Sequence, residues 1–372
     1  MGPIIFYCSD TRATTYSSLE RNGASGTISS MLWLAKGLAS KGFSVYIVNE
    51  ECEKNLGCHE GVFFIGVTEL SSISKLILGT PTIVCVGIDF TLRMASLNKI
   101  LNARIWFWHH NPIIHNEKIR ILSAGEIDKH IFVSVNHLIR QIKLNPSLIF
   151  SPGKIKVIYN AVDMASDFQD FNLLSNTLPN NKSLKIAYVG NFSAEKGFDK
   201  FLSFKERVDP DSTYEWHAFG GGLYNPAEGK DKNDNGIMMH KTLGRRELYE
   251  KLSTCDFVAS GLGGNETFCV SAVEAALLGK RIITYPKGGQ LEALCKYDYI
   301  YFITQITNLN ELLSSNLKKS KVQEFRFFCH KHYGIRPITE RWEKSLRNEN
   351  IRFPSLVNLR GILKSFNFFG AT

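Results

Sequence analysis

Residues 263–281, GGNETFCVSAVEAALLGKR, place two glutamates eight positions apart in an otherwise apolar stretch. Apolar residues recur at helical spacing from Phe268 onward, which predicts a largely buried helix that ends at Gly279. The run RIITYP at 281–286 then has the pattern of a short buried strand. A buried helix followed at once by a buried strand is the repeating unit of α/β proteins.

The two glutamates, Glu266 and Glu274, have two interpretations. The loop GLGGN at 261–265 places Glu266 at the helix N-terminus. Glu274 lies about two turns farther along the helix, roughly 12 Å at 1.5 Å per residue. A ligand lying along this helix could touch both carboxylates, with its anionic part at the positive end of the helix dipole. Alternatively, Glu266 is an N-terminal capping acid and Glu274 lies on a solvated face.

The length and composition indicate a soluble protein with two domains. A chain of 372 residues exceeds a typical single core. Hydrophobic residues make up 44% and charged residues 21%, and there is no apolar run long enough to span a membrane. The start, MGPIIFYCSDTR, has neither a signal-peptide nor a myristoylation pattern, so we expect a cytoplasmic protein. The net charge of +9 predicts an anionic partner.

Short apolar runs rich in β-branched and aromatic residues alternate with helical patterns in both halves of the chain. The runs lie at 4–9, 43–50, 82–88, 104–110, 130–135 and 156–160, and then at 184–190, 214–220, 236–240, 256–260, 281–286 and 299–304. This alternation predicts two doubly wound parallel sheets with helices on both faces. Ligands bind such folds at the carboxyl ends of the strands, in a cleft.

Three segments fall at strand-to-helix junctions of this pattern. NGASGT at 22–27 is a glycine-rich turn whose amides could hold a phosphate, although it matches neither GxGxxG nor the P-loop. VGNFSAEKGFDKFLSF at 189–204 places Lys196 at the start of a helix, where it could meet a diphosphate or be solvated. WFWHHNP ends a strand with His109 and His110 at the cleft, in a structural or a catalytic role.

Taken together, these motifs resemble the GT-B glycosyltransferases of family 4, retaining enzymes that use nucleotide-sugar donors. NETFCVSAVEAALLGKRIITYPKGG is similar to the Glu-x7-Glu block of that family, and VGNFSAEKGFDKFL to its Gly-Arg-Leu-x-x-x-Lys-Gly block. The glycine-rich turn with its helix, and VIYNAVD at 157–163, match in the same order. The resemblance extends to Trp342 and implies two Rossmann-like, doubly wound parallel-sheet domains that face a cleft.

The resemblance also implies a division of the chain into four parts. Residues 1–165 would form an acceptor-binding domain, 166–183 a linker, and 184–335 a domain that binds the nucleotide-sugar donor. Residues 336–372 would form a helical segment that crosses back to the N-terminal domain or contacts membrane. Within it, 351–369 places apolar residues on one stripe and basic residues on another face, so this segment either packs on the protein or lies on an anionic bilayer.

Roles for individual residues follow from the same resemblance. Glu274 would hold the donor ribose hydroxyls and Glu266 would contact the transferred sugar. Lys196 would neutralise the leaving diphosphate. His109 would lie near the reacting sugar, with His110 as the alternative.

Backbone groups complete the implied donor site. The amides of Thr267, Phe268 and Cys269 would face the sugar and diphosphate. The N-terminal turn would approach the phosphates at Gly23, Ala24 and Gly26. Contacts to the base would lie near Met239. Asn191 stands where the family usually has a phosphate-binding arginine, so this cationic contact is either missing or supplied from elsewhere, by Arg245 or Arg246. Tyr159 and Ala161 replace the usual Pro and Gly of the interdomain motif.

The implied activity is transfer of a hexose from a UDP- or GDP-linked donor to a glycan or lipid-linked acceptor. The acceptor hydroxyl attacks from the side that the diphosphate leaves, and the leaving phosphate takes its proton. The resemblance implies no bound metal or other cofactor. Asp209 and Asp211, which spell Asp-x-Asp, have the pattern of loop acids.

The acceptor and the cellular role are expected by analogy alone. We expect a role in cell-envelope polysaccharide or lipopolysaccharide synthesis, in the cytoplasm or at the inner face of the membrane. The alternatives are a sugar-nucleotide epimerase or oxidoreductase, and a non-catalytic nucleotide-binding protein. A nucleic-acid partner is not expected, because no RNP-like motif or basic run is present.

Overall fold

The structure is a computed structural model whose helices and strands are numbered below within the residues that it describes. These residues are 2–8, 15–49, 57–66, 79–86, 102–111, 127–146, 148, 152–164, 183–221, 231–313 and 317–347. Residues 166–182 of the predicted linker and the amphipathic tail at 351–369 lie outside these ranges.

The N-terminal domain is built on an eight-stranded sheet with the order β3-β4-β2-β1-β5-β6-β7-β8. Its strands are β1 Ile4–Cys8, β2 Val45–Asn49, β3 Gly57–His59, β4 Val62–Gly66, β5 Thr82–Val86, β6 Arg104–His109, β7 Lys129–Phe132 and β8 Ile155–Val157. All neighbours are parallel except the β3–β4 hairpin at the edge. Every residue of β1 and β5 is buried, as expected for central strands covered on both faces.

The C-terminal domain is built on a seven-stranded sheet with the order β11-β12-β10-β9-β13-β14-β15. Its strands are β9 Lys185–Val189, β10 Glu215–Phe219, β11 Lys232–Asp234, β12 Ile237–Met239, β13 Phe257–Ala259, β14 Arg281–Thr284 and β15 Ile300–Phe302. Here too the only antiparallel pair within the described sheet is an edge hairpin, β11–β12. The two mostly parallel sheets confirm the predicted fold class.

Helices connect the strands and cover the sheets. Their bounds are α1 Tyr16–Asn22, α2 Gly26–Ser40, α3 Val135–Leu144, α4 Phe198–Val208, α5 Arg245–Ser253, α6 Val270–Leu277, α7 Gln290–Ala293, α8 Leu309–Leu313, α9 Lys319–His332 and α10 Ile335–Leu346. In the described part of the chain, none of the helices could span a bilayer.

Two details differ from the sequence-based expectations. Strands β3, β4 and β11 were not predicted. β3 and β11 are edge strands of only three residues, whereas β4, second in its sheet, is an apolar run of five residues that the strand pattern does indicate. Helix α6 begins at Val270 rather than Phe268, because Cys269 has a φ of 64°, which is outside the helical region. The predicted end of this helix is confirmed, since Gly279 has a φ of 74° directly after it.

Helix α10 crosses back from the C-terminal domain onto the N-terminal sheet. The indole ring of Trp342 is fully buried and packs on Phe6, Trp106 and Trp108, with ring centroids 5.1–6.3 Å away. The same helix lies against α2 at Gly37. The last described helix therefore belongs, by its packing, to the first domain.

The packing of α10 on α2 gives a testable prediction. A Cβ at Gly37 would lie 2.1 Å from Thr339 Oγ1 and 3.1 Å from Ile335 Cγ2. We expect Gly37→Ala to lower the free energy of unfolding by about 1–3 kcal/mol. Gly153→Ala is a matched control, because the added Cβ would meet no described atom within 4 Å. Urea unfolding of both variants is the measurement, and equal stabilities would contradict this packing.

Candidate functional site

Helix α6 starts immediately after Cys269, which is in the left-handed backbone conformation. This conformation costs a non-glycine residue on the order of 1 kcal/mol or more. The buried thiol compensates in part, because its Sγ lies 3.5 Å from Ser260 Oγ and 3.6 Å from Ser271 Oγ. Burial raises the pKa of the thiol to about 11, so it is protonated at neutral pH. The left-handed backbone of Cys269 therefore fixes the start of α6 at Val270.

Phe268 anchors the loop before α6 in the protein interior. Its side chain is fully buried, and its ring lies 5.2 Å from that of Tyr333 and 6.0 Å from that of Tyr159. The neighbouring Thr267 is also buried. The backbone of 267–269 is therefore held rigidly at the positive end of α6, where amides can bind an anion.

Lys196 and Glu266 form an ion pair beside this loop. Lys196 Nζ lies 2.9 Å from Glu266 Oε1, and the side chains are 39% and 12% exposed. Burial lowers the pKa of the ammonium, but the Glu266 carboxylate outweighs that effect, so the Lys196 pKa is raised. The two segments approach closely, since a Cβ at Gly263 would lie 2.0 Å from the carbonyl oxygen of Glu195. The lysine and the first glutamate of the motif are thus in direct contact.

Glu274, the second glutamate, lies in a network of buried charges. Tyr249 Oη donates to Glu274 Oε1 at 2.8 Å, and Arg245 Nη2 lies 3.8 Å from the same oxygen. Arg245 also donates to Asp163 Oδ2 at 2.7 Å. Burial raises the pKa of Glu274, whereas Arg245 and Tyr249 oppose this rise. The Glu274 side chain is 18% exposed, so its carboxylate is accessible to a ligand.

The glycine-rich turn of the N-terminal domain packs directly against the C-terminal domain. A Cβ at Gly23, which has a φ of 66°, would lie 2.6 Å from Leu243 O, and one at Gly26 would lie 3.1 Å from Val270 Cβ. Ala24 lies between them, partly buried against the core. Glycine is needed here because the backbone of one domain approaches the start of α6 in the other.

The two histidines at the end of β6 have different surroundings. The His109 ring stacks on Phe132 at 4.3 Å, and its Nε2 lies 3.1 Å from His130 Nδ1, so it is packed within the N-terminal domain. The His110 carbonyl accepts a hydrogen bond from Thr267 Oγ1 at 2.8 Å, across the domain boundary. Its buried Nε2 has no hydrogen-bond partner among the described residues. The backbone of His110, the alternative candidate, therefore contacts the Glu266 loop, whereas its ring packs on Trp108 at 4.4 Å.

The remaining candidates lie apart from these contacts. Asn191 is exposed, and the Met239 side chain is buried in the core of the C-terminal domain. Arg246 is 76% exposed and pairs with Glu250. No described contact joins these three to Lys196, Glu266 or Glu274.

Asp209 has a structural role. Its buried carboxylate accepts hydrogen bonds from the amide and hydroxyl of Thr213, from the Tyr214 amide and from the Trp216 indole. Burial raises its pKa, but these bonds outweigh that effect and lower it. Within the described ranges, no group of three or more His, Cys, Asp or Glu side chains could hold a metal ion.

Sequence reasoning named Arg245, but it missed Tyr249, which donates to Glu274, and Asp163, which accepts from Arg245. Tyr249 and Arg245 are four residues apart on one helix, a spacing at which contact is expected. Asp163 and Glu292 come from distant segments, and nothing in the local sequence predicts their contacts.

Comparisons with known proteins agree with this architecture. Residues 171–325 match the family model described as glycosyl transferases group 1. This segment is 155 of the 372 residues. No curated protein sequence is significantly similar to the chain.

Solved structures are similar along nearly the whole chain. Anabaena HepE in complex with UDP-glucose has a TM-score of 0.65 at 12% identity, covering 94% of this chain and 100% of that one. Sucrose-phosphate synthase from Thermosynechococcus elongatus has a TM-score of 0.69 at 12% identity, covering 93% and 98%. The E. coli trehalose-6-phosphate structure bound with UDP-2-fluoro glucose has a TM-score of 0.65 at 12% identity, covering 94% and 100%. The chain has the GT-B fold, and the family match supports glycosyltransferase activity.

The Arg245 network gives a prediction about stability. Arg245→Ala would remove the guanidinium that pairs with the carboxylates of Asp163 and Glu274 and would leave these largely buried charges uncompensated. We expect a loss of about 3–5 kcal/mol in the free energy of unfolding. Arg246→Ala, one residue away, is the control and should change it by less than about 0.5 kcal/mol because its partner Glu250 is exposed. Denaturant unfolding of both variants would contradict the network if they were equally stable.

The buried histidines give a prediction about pH. Burial lowers the pKa of His110 to about 3, so in acid the folded state binds fewer protons than the unfolded state. The contribution of His110 to stability is complete above pH 6.5 and is lost as the pH falls toward 3. At pH 5 the loss is about 2 kcal/mol. Urea unfolding at pH 7 and pH 5 should show a smaller difference for His110→Gln than for the wild type; an equal difference would contradict this assignment.

Proposed function

We propose that the protein is a retaining glycosyltransferase that moves a hexose from a UDP- or GDP-linked donor to a glycan or lipid-linked acceptor. The observation that carries the proposal is the Lys196–Glu266 ion pair directly before α6, the helix that carries Glu274 and whose first residue, Val270, packs against the glycine-rich turn. Two solved structures with the same fold contain UDP-glucose or its 2-fluoro analogue.

The donor would lie along the N-terminal part of α6. Glu274, held by Tyr249, accepts hydrogen bonds from the ribose hydroxyls, and Glu266 contacts the sugar. The amides of 267–269 face the sugar and diphosphate. Arg245 is 7% exposed and held by Asp163, whereas Lys196 is 39% exposed, so Lys196 carries the main positive charge toward the diphosphate.

The reaction would be a displacement with retention of configuration. The bond between the anomeric carbon and the diphosphate oxygen breaks, and the acceptor oxygen forms its bond on the same face. The acceptor proton passes to the leaving phosphate, so the reaction needs no paired carboxylates of the hydrolase kind and no bound metal. His110 or His109, at the end of β6, would lie near the reacting sugar.

The acceptor is proposed to be a cell-envelope polysaccharide or lipopolysaccharide precursor. The net charge of +9 favours contact with an anionic membrane surface, on the cytoplasmic side. An acceptor carried on lipid would bring the enzyme to that surface.

Thermal unfolding with UDP, GDP, ADP, CMP or NAD tests the donor assignment. We expect UDP or GDP to raise the melting temperature of the wild type, because a ligand at 100 times its dissociation constant adds about 2.7 kcal/mol. Glu274→Gln should abolish the increase, because the amide replaces the charged acceptor of the ribose hydroxyls.

Glu250→Gln is the matched control, since this glutamate is 55% exposed and lies outside the proposed site. It should keep the full increase. An increase with NAD alone would instead favour an oxidoreductase or epimerase, and an increase retained by Glu274→Gln would remove this glutamate from the donor site. Mass spectrometry of glycan acceptors incubated with UDP-glucose would then distinguish transfer from binding.

A further inference from the structure

Glu292, on the short helix α7 of the C-terminal domain, makes all of its carboxylate hydrogen bonds described here to the N-terminal domain. Its oxygens accept from the Val135 amide at 3.0 Å, the Asn136 amide at 2.9 Å and the Tyr159 hydroxyl at 2.7 Å. The residue is 4% exposed. We call this set of contacts the Glu292 bridge.

The bridge completes the N-terminus of α3. A helix begins with amides that have no partner within the helix. Ser134, the residue before α3, accepts from the His137 amide at 3.0 Å, and Glu292 accepts from the two amides before it. Its negative charge also lies at the positive end of the helix dipole. A helix of one domain is thus capped by a carboxylate of the other.

Helix α3 also contacts both neighbours of Glu266. Arg140 Nη2 donates to Asn265 Oδ1 at 2.9 Å, and Ser134 Oγ donates to Thr267 O at 2.5 Å. The Gly289 amide, three residues before Glu292, donates to Glu266 O at 2.7 Å. The loop that carries Glu266 is therefore held between α3 and the segment that carries Glu292.

We propose that Glu292 is a positioning residue that sets the place of Glu266 relative to the N-terminal domain. A buried carboxylate is stable only when donors surround it, and here the donors are available only while the two domains are in contact. Tyr159, which replaces the usual Pro of the interdomain motif, supplies the third donor. The inference rests on the proposed function only for its kinetic consequence.

Hydrogen–deuterium exchange of the full, ligand-free chain tests the bridge without any assumption about activity. In Glu292→Ala, we expect the amides of Val135 and Asn136 to exchange on the order of tenfold faster, because each loses a hydrogen bond to a charged group. Tyr159→Phe keeps the ring and should accelerate the same amides by a smaller factor. Unchanged exchange at these amides in both variants would overturn the bridge.

Asp209→Ala is the matched control, because Asp209 is also a buried carboxylate, but its partners all lie within the C-terminal domain. It should accelerate exchange at Thr213 and Tyr214 and leave α3 unchanged. If Asp209→Ala accelerated exchange in α3 as much as Glu292→Ala, the effect would be general destabilisation and the proposal would fail. If Glu292→Ala does not fold, Tyr159→Phe and Glu292→Gln provide the same comparison.

Kinetics with UDP-glucose separates positioning from structural support. We expect Tyr159→Phe and Glu292→Gln to lower kcat about tenfold, with KM for the donor changed less than about twofold, because the donor contacts lie in the C-terminal domain. Equal kcat in wild type and variants would overturn the positioning role. If the wild type binds neither UDP nor GDP and transfers no hexose from donors linked to either, while exchange still changes as expected, the proposed function fails and the bridge stands.

Discussion

One hydrogen bond joins the two places where the chain crosses between the domains. The Val162 amide donates to the Tyr333 carbonyl at 2.8 Å, so the outgoing and returning segments lie side by side. Phe268 packs on Tyr333 and Tyr159 at this crossing, which ties the loop before α6 to the hinge. The residues at this crossing therefore also support the loop that carries the candidate site.

Much of the fold could be predicted, because strands buried on both faces of a parallel sheet are continuous apolar runs. The edge strands β3 and β11 were missed because each has only three residues and lacks an apolar run, so that pairing in a hairpin, rather than composition, makes them strands. The Asn235–Gly236 turn does carry a hairpin signal, with φ values of 52° and 73°, but the β11 and β12 arms are only three residues each. The start of α6 was misplaced because sequence spacing does not reveal a left-handed cysteine.

The candidate site, like the fold, could be predicted from the sequence only in part. Lys196, Glu266 and Glu274 could be named from the sequence, since their motifs are local and lie at strand-to-helix junctions. The contacts of Asp163 with Arg245 and of Glu292 with Tyr159 could not, because each joins segments that are far apart in the sequence. The histidines show the limit within one motif: the sequence does not reveal that the His109 ring packs on Phe132, or that His110 meets the other domain through its backbone carbonyl.

The Lys196–Glu266 pair has a consequence for turnover. Without a donor, each charge neutralises the other at 2.9 Å. In the proposed reaction, an intact donor replaces the pair with a diphosphate for the lysine and sugar hydroxyls for the glutamate. After transfer, the nucleoside diphosphate still satisfies Lys196, but Glu266 has lost its sugar and lies beside a dianion. Re-forming the ion pair between Lys196 and Glu266 then favours release of the nucleoside diphosphate. The contact that stabilises the empty site therefore also promotes product release.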